Sequence, residues 1–219
     1  MVKHSEVAVR PDSVAVEFDD GRLVANAGVM LTSTLINRLG LERLVDQMVD
    51  LGQRAGAAKP GRKVCSLVHA MALGADSIDD CDVLRAGGTE ALLGHRVMAP
   101  STLGTFLRSF SFGHVRQLDR VLAESIRRAW SAGAGPGGER LVIDLDSFVG
   151  EVHGSEKQGA GFGYTGERGY HPILATRSGT GEVLHVRLRK GQGARDAARF
   201  ASCKSWSPGC VALAPQARS

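Results

Sequence analysis

The sequence predicts an α+β fold, and three observations lead there. Apolar and polar residues alternate on either side of Asp19-Asp20-Gly21 near the start. Apolar residues then recur at three- and four-residue intervals from Val29 to about Trp130. Short alternating runs return after the glycine-rich stretch Gly133-Ala134-Gly135-Pro136-Gly137-Gly138. A period of two marks strands and a period near 3.6 marks helices. The expected organisation is a β-hairpin over residues 1–28, a helical region over 29–132, a linker over 133–138, a second structured unit over 139–200 and a disordered tail over 201–219.

Composition narrows the classes. With 219 residues, 43% of them apolar, the chain has enough material for a sizeable core. Its 27 basic and 23 acidic residues leave a charge of +4, which permits a polyanionic partner without requiring one. Cys65, Cys81, Cys203 and Cys210 form no C-x-x-C pair and no regular spacing with histidine, so neither a zinc site nor a disulfide framework is expected. No apolar run approaches the roughly 20 residues that cross a bilayer, and the N-terminus lacks the apolar core of a secretory signal. A cytoplasmic protein with no membrane partner is the expectation.

Each element has its own signal. Val14, Val16, Phe18 and Leu23 alternate with polar residues around Asp-Gly, a strong hairpin turn. Leu31, Leu35 and Leu39, then Leu41, Leu44, Val45 and Met48, predict two short helices parted by Gly40. Arg54 to Lys63 reads as a basic loop, and Val64 to Leu73 as a helix with Leu67, Val68 and Met71 on one face. Ser77-Ile78-Asp79-Asp80 opens a further short helix. Leu103 to Phe110 follows Ser101 or Thr102 as N-cap, and His114 to Trp130 forms a longer amphipathic helix. A helix ending near Gly94-His95-Arg96, then a capped helix bearing Ser101, Thr102 and Arg108, is compatible with a helix-turn-helix reader of DNA.

Past the linker, Leu141 to Ser147 is a strand whose side chains alternate between faces. Leu141, Ile143 and Leu145 enter a core, while Val142, Asp144 and Asp146 share the other side. Two carboxylates near a strand's end make a seat for a hard divalent cation, and phosphoryl-transfer enzymes use such ions to activate the attacking oxygen. Gly150 to Gly169 is too polar and too rich in glycine for a regular element. Its glycines do not follow the G-x-x-x-x-G-K-[ST] order, so no nucleotide cofactor is expected. Tyr170 to Thr176 and Glu182 to Arg189 complete three antiparallel strands, and Gly191 to Phe200 begins a helix carrying Asp196. Three strands and then a helix, with an acid on the first strand, is how an RNase H-like domain begins.

Certain residues carry a resemblance. They are Asp144-Leu145-Asp146-Ser147, Tyr164 with Gly166, Gly169-Tyr170-His171-Pro172 and Arg189-Lys190-Gly191, preceded upstream by Ser77-Ile78-Asp79-Asp80, Ala99-Pro100-Ser101-Thr102-Leu103 and Leu107-Arg108. With them the chain resembles, over roughly residues 10 to 200, the N-terminal part of a DDE transposase from a bacterial insertion sequence, most closely the group numbered 1380. The resemblance implies an RNase H-like core in which three carboxylates bind two magnesium ions for attack on phosphodiesters. It implies Asp146, followed by Ser147, as the first carboxylate and metal ligand, with Asp144 as the second choice. It also implies DNA as partner, at the inverted terminal repeats of the element. Arg62, Lys63, Arg96, Ser101, Thr102, Arg108, Lys157, Arg168, Arg189 and Lys190 are the candidates for DNA contact.

The second and third acids of such a core would follow the helix that starts near Gly191. Helical periodicity instead stops at Ala201, and Ser202 to Ser219 has arbitrary composition. A frameshifted or truncated, catalytically inactive transposase is therefore expected. The alternative is a non-catalytic DNA-binding module that occupies element ends and interferes with an intact transposase.

Overall fold

The computed structural model of the chain describes residues 20, 22–24, 26–154, 157–163, 166–189 and 211–212. Of the expected hairpin, Asp20 and residues 22–24 fall among them; residues 22–24 form no strand, and the Leu23 N–H donates to Asp20 O at 3.1 Å. The first hairpin strand, Tyr164, Thr165, Lys190 and the helix expected from Gly191 to Phe200 lie outside the described residues.

Helices α1 (Val29–Leu39) and α2 (Leu41–Met48) meet at Gly40, whose φ of +64° ends α1. A left-handed residue with no Cβ closes a helix at little cost, here by turning its N–H back to Asn37 O. The break falls where the sequence places it, but the buried face of α1 does not. Leu31 is 79% and Leu35 55% exposed, because α1 packs through Val29 and Ile36 instead.

Helix α3 (Pro60–Ala72) begins earlier than the basic stretch Arg54 to Lys63 suggests. Proline is at ease in the first helical turn, where its missing N–H would have had no partner. Arg62 and Lys63 are therefore helical residues and not loop residues. Gly61 lets α3 lie against α2: its N–H donates to Asp46 Oδ1 at 2.7 Å, and a Cβ there would stand 2.2 Å from Glu42 O.

A 3-10 turn (Asp79–Arg85) and α4 (Thr89–Leu93) lead to α5 (Pro100–Arg108). The same proline rule moves the start of α5. Ala99 occupies the N-cap, so Ser101 and Thr102 lie inside the first turn and do not cap it. The long α6 (Phe112–Ala129) opens at Ser111, whose N–H donates to His114 Nδ1 at 3.0 Å, and runs into a π-helical turn at Trp130–Ala134.

Two apolar cores hold the helices. One gathers Val29, Ala70, Cys81, Leu84, Val97 and Leu103, and the other Leu44, Val45, Val49, Leu51, Phe106 and Val121. Cys65 and Cys81 are buried free thiols.

Strand β1 (Val142–Ser147) is followed by β2 (Gly150–Glu151), β3 (Gly161–Phe162) and β4 (Arg168–Tyr170), then β5 (Ile173–Arg177), β6 (Val183–Arg187) and β7 (Val211–Ala212). The larger sheet has the order β6-β5-β1-β7. Its first two pairings are antiparallel, and β7 lies parallel to β1. The glycine-rich excursion is more regular than its composition suggests, since β2, β4 and β3 form a small antiparallel sheet. Glycine is required there rather than disruptive: a Cβ on Gly169 would stand 2.3 Å from Gly150 O across the pair.

A third core joins the two parts of the molecule. Leu141, Ile143, Ala175 and Leu184 from the sheet pack with Ile126 and Trp130 at the end of α6. Trp130 Nε1 donates to Glu182 Oε1 at 2.9 Å, and Arg177 Nη1 donates to Ala134 O at 2.9 Å.

Candidate functional site

Because Ile143 is buried against the end of α6, the alternation of β1 turns Asp144 and Asp146 to the opposite face, where both are exposed. The register sets Asp144 beside Thr176 and Asp146 beside Leu174. Asp146 lies next to the strand's last residue, and its Oδ1 accepts from the Ser147 N–H at 2.7 Å, which fixes the carboxylate's orientation.

Ser147 links this acid to the rest of the expected motif. Its hydroxyl lies 3.2 Å from His171 Nε2, and His171 is only 2% exposed. The His171 N–H donates to Arg189 O at 3.1 Å, and Arg189 Nε donates to His171 O at the same distance. Strand pairing thus brings Asp146-Ser147, His171-Pro172 and Arg189 to one place. His171, which reads in the sequence as a strand residue ahead of a proline, is the connecting side chain. Its contact with Ser147 spans 24 positions and has no local signal.

The expected DNA-contacting residues that are described fall on several elements. Arg62, on α3, places Nε 3.4 Å from Glu42 Oε1. Lys63 is 3% exposed, and its ammonium donates to Gly56 O and Ala58 O, each at 2.6 Å, with the Phe106 ring 5.4 Å away. That ammonium is held inside the protein and is not aimed at a polyanion. Arg96 is exposed in the loop before α5. Ser101 and Arg108 are exposed on α5 and Thr102 is half-buried; Thr105 bridges the first two, its Oγ1 donating to Ser101 O at 2.9 Å. Lys157 is exposed, and Arg168 in β4 donates to Gly154 O.

The face of β1 offers the carboxylates of Asp144 and Asp146, oxygen ligands of the kind magnesium prefers. Two carboxylates suit one such ion, which keeps much of its water. They do not by themselves complete a pair of ions. Among the described residues no group of three or more His, Cys, Asp or Glu side chains is placed to hold a metal, and no helix is long and apolar enough to cross a membrane.

No curated protein and no solved structure matches the chain. Residues 7–202 match the family model of the transposase DDE domain, group 1. That span holds the helical region, the Asp144–Asp146 strand and the His171 and Arg189 neighbours of Ser147. The chain accordingly belongs to the group 1 DDE-domain transposases, a family that acts on DNA and uses divalent metal.

Proposed function

We propose that this chain is the DNA-binding and first-carboxylate portion of an insertion-sequence transposase, of the group numbered 1380, which acts in the cytoplasm on the inverted terminal repeats of its element. One observation carries the reading: Asp144 and Asp146 stand exposed on an inner strand of the larger sheet, next in the chain to the His171–Ser147 contact. The strand order supports an RNase H-like start, with β5 and β6 antiparallel on one side of β1 and β7 parallel on the other.

Asp146 is the first acid, since it sits nearer the end of β1 and is followed by Ser147; Asp144 is second in rank. The Ser147 amide engages Asp146 Oδ1, which leaves Oδ2 for a cation or a metal-bound water. His171 orients the Ser147 hydroxyl, and the paired backbone contacts with Arg189 hold His171. Magnesium bound to this face supplies Lewis-acid polarisation of a phosphodiester.

The acids beyond β1 are Glu151, Glu156, Glu167, Glu182 and Asp196, and none of the described ones joins Asp144 and Asp146 in a metal-holding group. The chain is proposed to bind terminal-repeat DNA without cutting it. A second reading, a non-catalytic module that competes with an intact transposase for element ends, is favoured by the two helical cores. Both are built without any residue of the sheets.

The test is a gel shift of the chain on a duplex carrying the element's terminal repeat, with magnesium present. The expected result is a retarded band with no nicked product, unchanged in Asp146→Asn. Absence of binding at any protein concentration rejects the reading, and magnesium-dependent nicking that Asp146→Asn abolishes rejects the non-catalytic part of it.

A further inference from the structure

A cleft of about 560 Å³ lies where the end of α1 and the start of α2 face the end of α6. Three arginines line it, namely Arg38, Arg43 and Arg128, and no acidic side chain does. Of the nearby carboxylates, Glu42 Oε1 lies 3.4 Å from Arg62 Nε, and Glu124 accepts from Arg127 and from Arg128, so it offsets the charge of Arg128 and leaves Arg38 and Arg43 as the cleft's unpaired cations among the described residues.

Arg128 has a structural task, donating from Nη1 to Leu39 O at 2.6 Å, where it meets the negative end of α1. Arg38 and Arg43 have no such task. Both are exposed, and neither makes an ion pair among the described residues.

We propose that this cleft grips the phosphate backbone of DNA, with Arg38 and Arg43 each taking one phosphate while Arg128 holds the floor. The proposal rests on the DNA-binding reading above and adds a contact surface to it. Two exposed guanidinium groups beside a lining of Leu35, Leu39 and three alanines, with no lining carboxylate to repel it, suit a polyanion strand held by its phosphates.

The experiment is fluorescence anisotropy of a labelled duplex with the full chain, across 50 to 200 mM salt. Alongside it, inorganic phosphate is titrated calorimetrically. Arg38→Ala with Arg43→Ala is expected to weaken binding about tenfold and to flatten the slope of log affinity against log salt by about 1.8, two phosphates at about 0.9 each. Arg38→Lys with Arg43→Lys keeps most of that slope.

Should the alanine pair melt lower than wild type, Arg38→Gln and Arg43→Gln taken singly carry the test, each removing about 0.9 of slope. Wild-type affinity and slope in the alanine pair overturn the cleft alone. Phosphate heat that disappears in the pair while DNA binding stays intact overturns it in favour of a free-anion site. A wild-type chain that binds no DNA overturns this inference and the functional reading together.

Discussion

Two buried bases on α3 show how differently a polar side chain is accommodated. Lys63 is satisfied by two carbonyls and a ring, whereas His69 is 2% exposed and neither of its ring nitrogens makes a hydrogen bond of ordinary geometry among the described residues. Burial, then the charge of nearby His95, hold the His69 imidazole below its ordinary pKa, with the Cys65 backbone opposing. The sign of the consequence follows from linkage. The unfolded chain takes up a proton near pH 6.5 while the folded one resists, so stability is complete above that pH and is lost as pH falls through it toward the folded value. Each unit of depression is worth about 1.4 kcal/mol. Urea unfolding at pH 8, 6.5 and 5 is expected to show the decline, with a shallower decline in His69→Leu. Equal declines in the two proteins would count against His69 as the cause.

Among the elements, three of the four strands of the larger sheet were the most legible. One face of each is buried and the other open, so alternation marked Leu141 to Ser147, Tyr170 to Thr176 and Glu182 to Arg189, close to the observed β1, β5 and β6. Gly40 was legible for a related reason, since only glycine closes α1 at φ +64° without strain. Helix starts at Pro60 and Pro100 were not, because charged and hydroxyl residues beside a proline look like loop or cap. The small sheet was the largest miss: glycine lowers strand propensity on average, yet here the backbones approach too closely for any side chain. Gly169→Ala is expected to cost about 1–3 kcal/mol locally. Amide exchange at Val152, which donates to Arg168 O, should accelerate while Phe106 in the helical core is unaffected. Unchanged protection at Val152 would show that the pair tolerates a methyl group.

At the scale of the molecule, the glycine-rich stretch read as a linker follows a helix that already enters the sheet's core through Ile126 and Trp130. Within the candidate site, alternation placed both acids on one face, but nothing local revealed that His171 would reach Ser147 or that Lys63 would turn inward. Those contacts depend on the folded chain bringing distant segments together, which a single sequence does not display. The buried thiols have one further consequence. Burial first, then the charges of Glu42 and Asp46, push Cys65 up to about 12, and burial with the neighbouring aspartates raises Cys81 as well. Only the ionised sulfur alkylates readily, so in a chain bearing Cys203→Ser and Cys210→Ser a maleimide dye becomes a stopwatch for the helical half. Labelling should wait for that half to open, slow in buffer and quick in urea, and a prompt reaction of the native protein would mean that the half breathes freely.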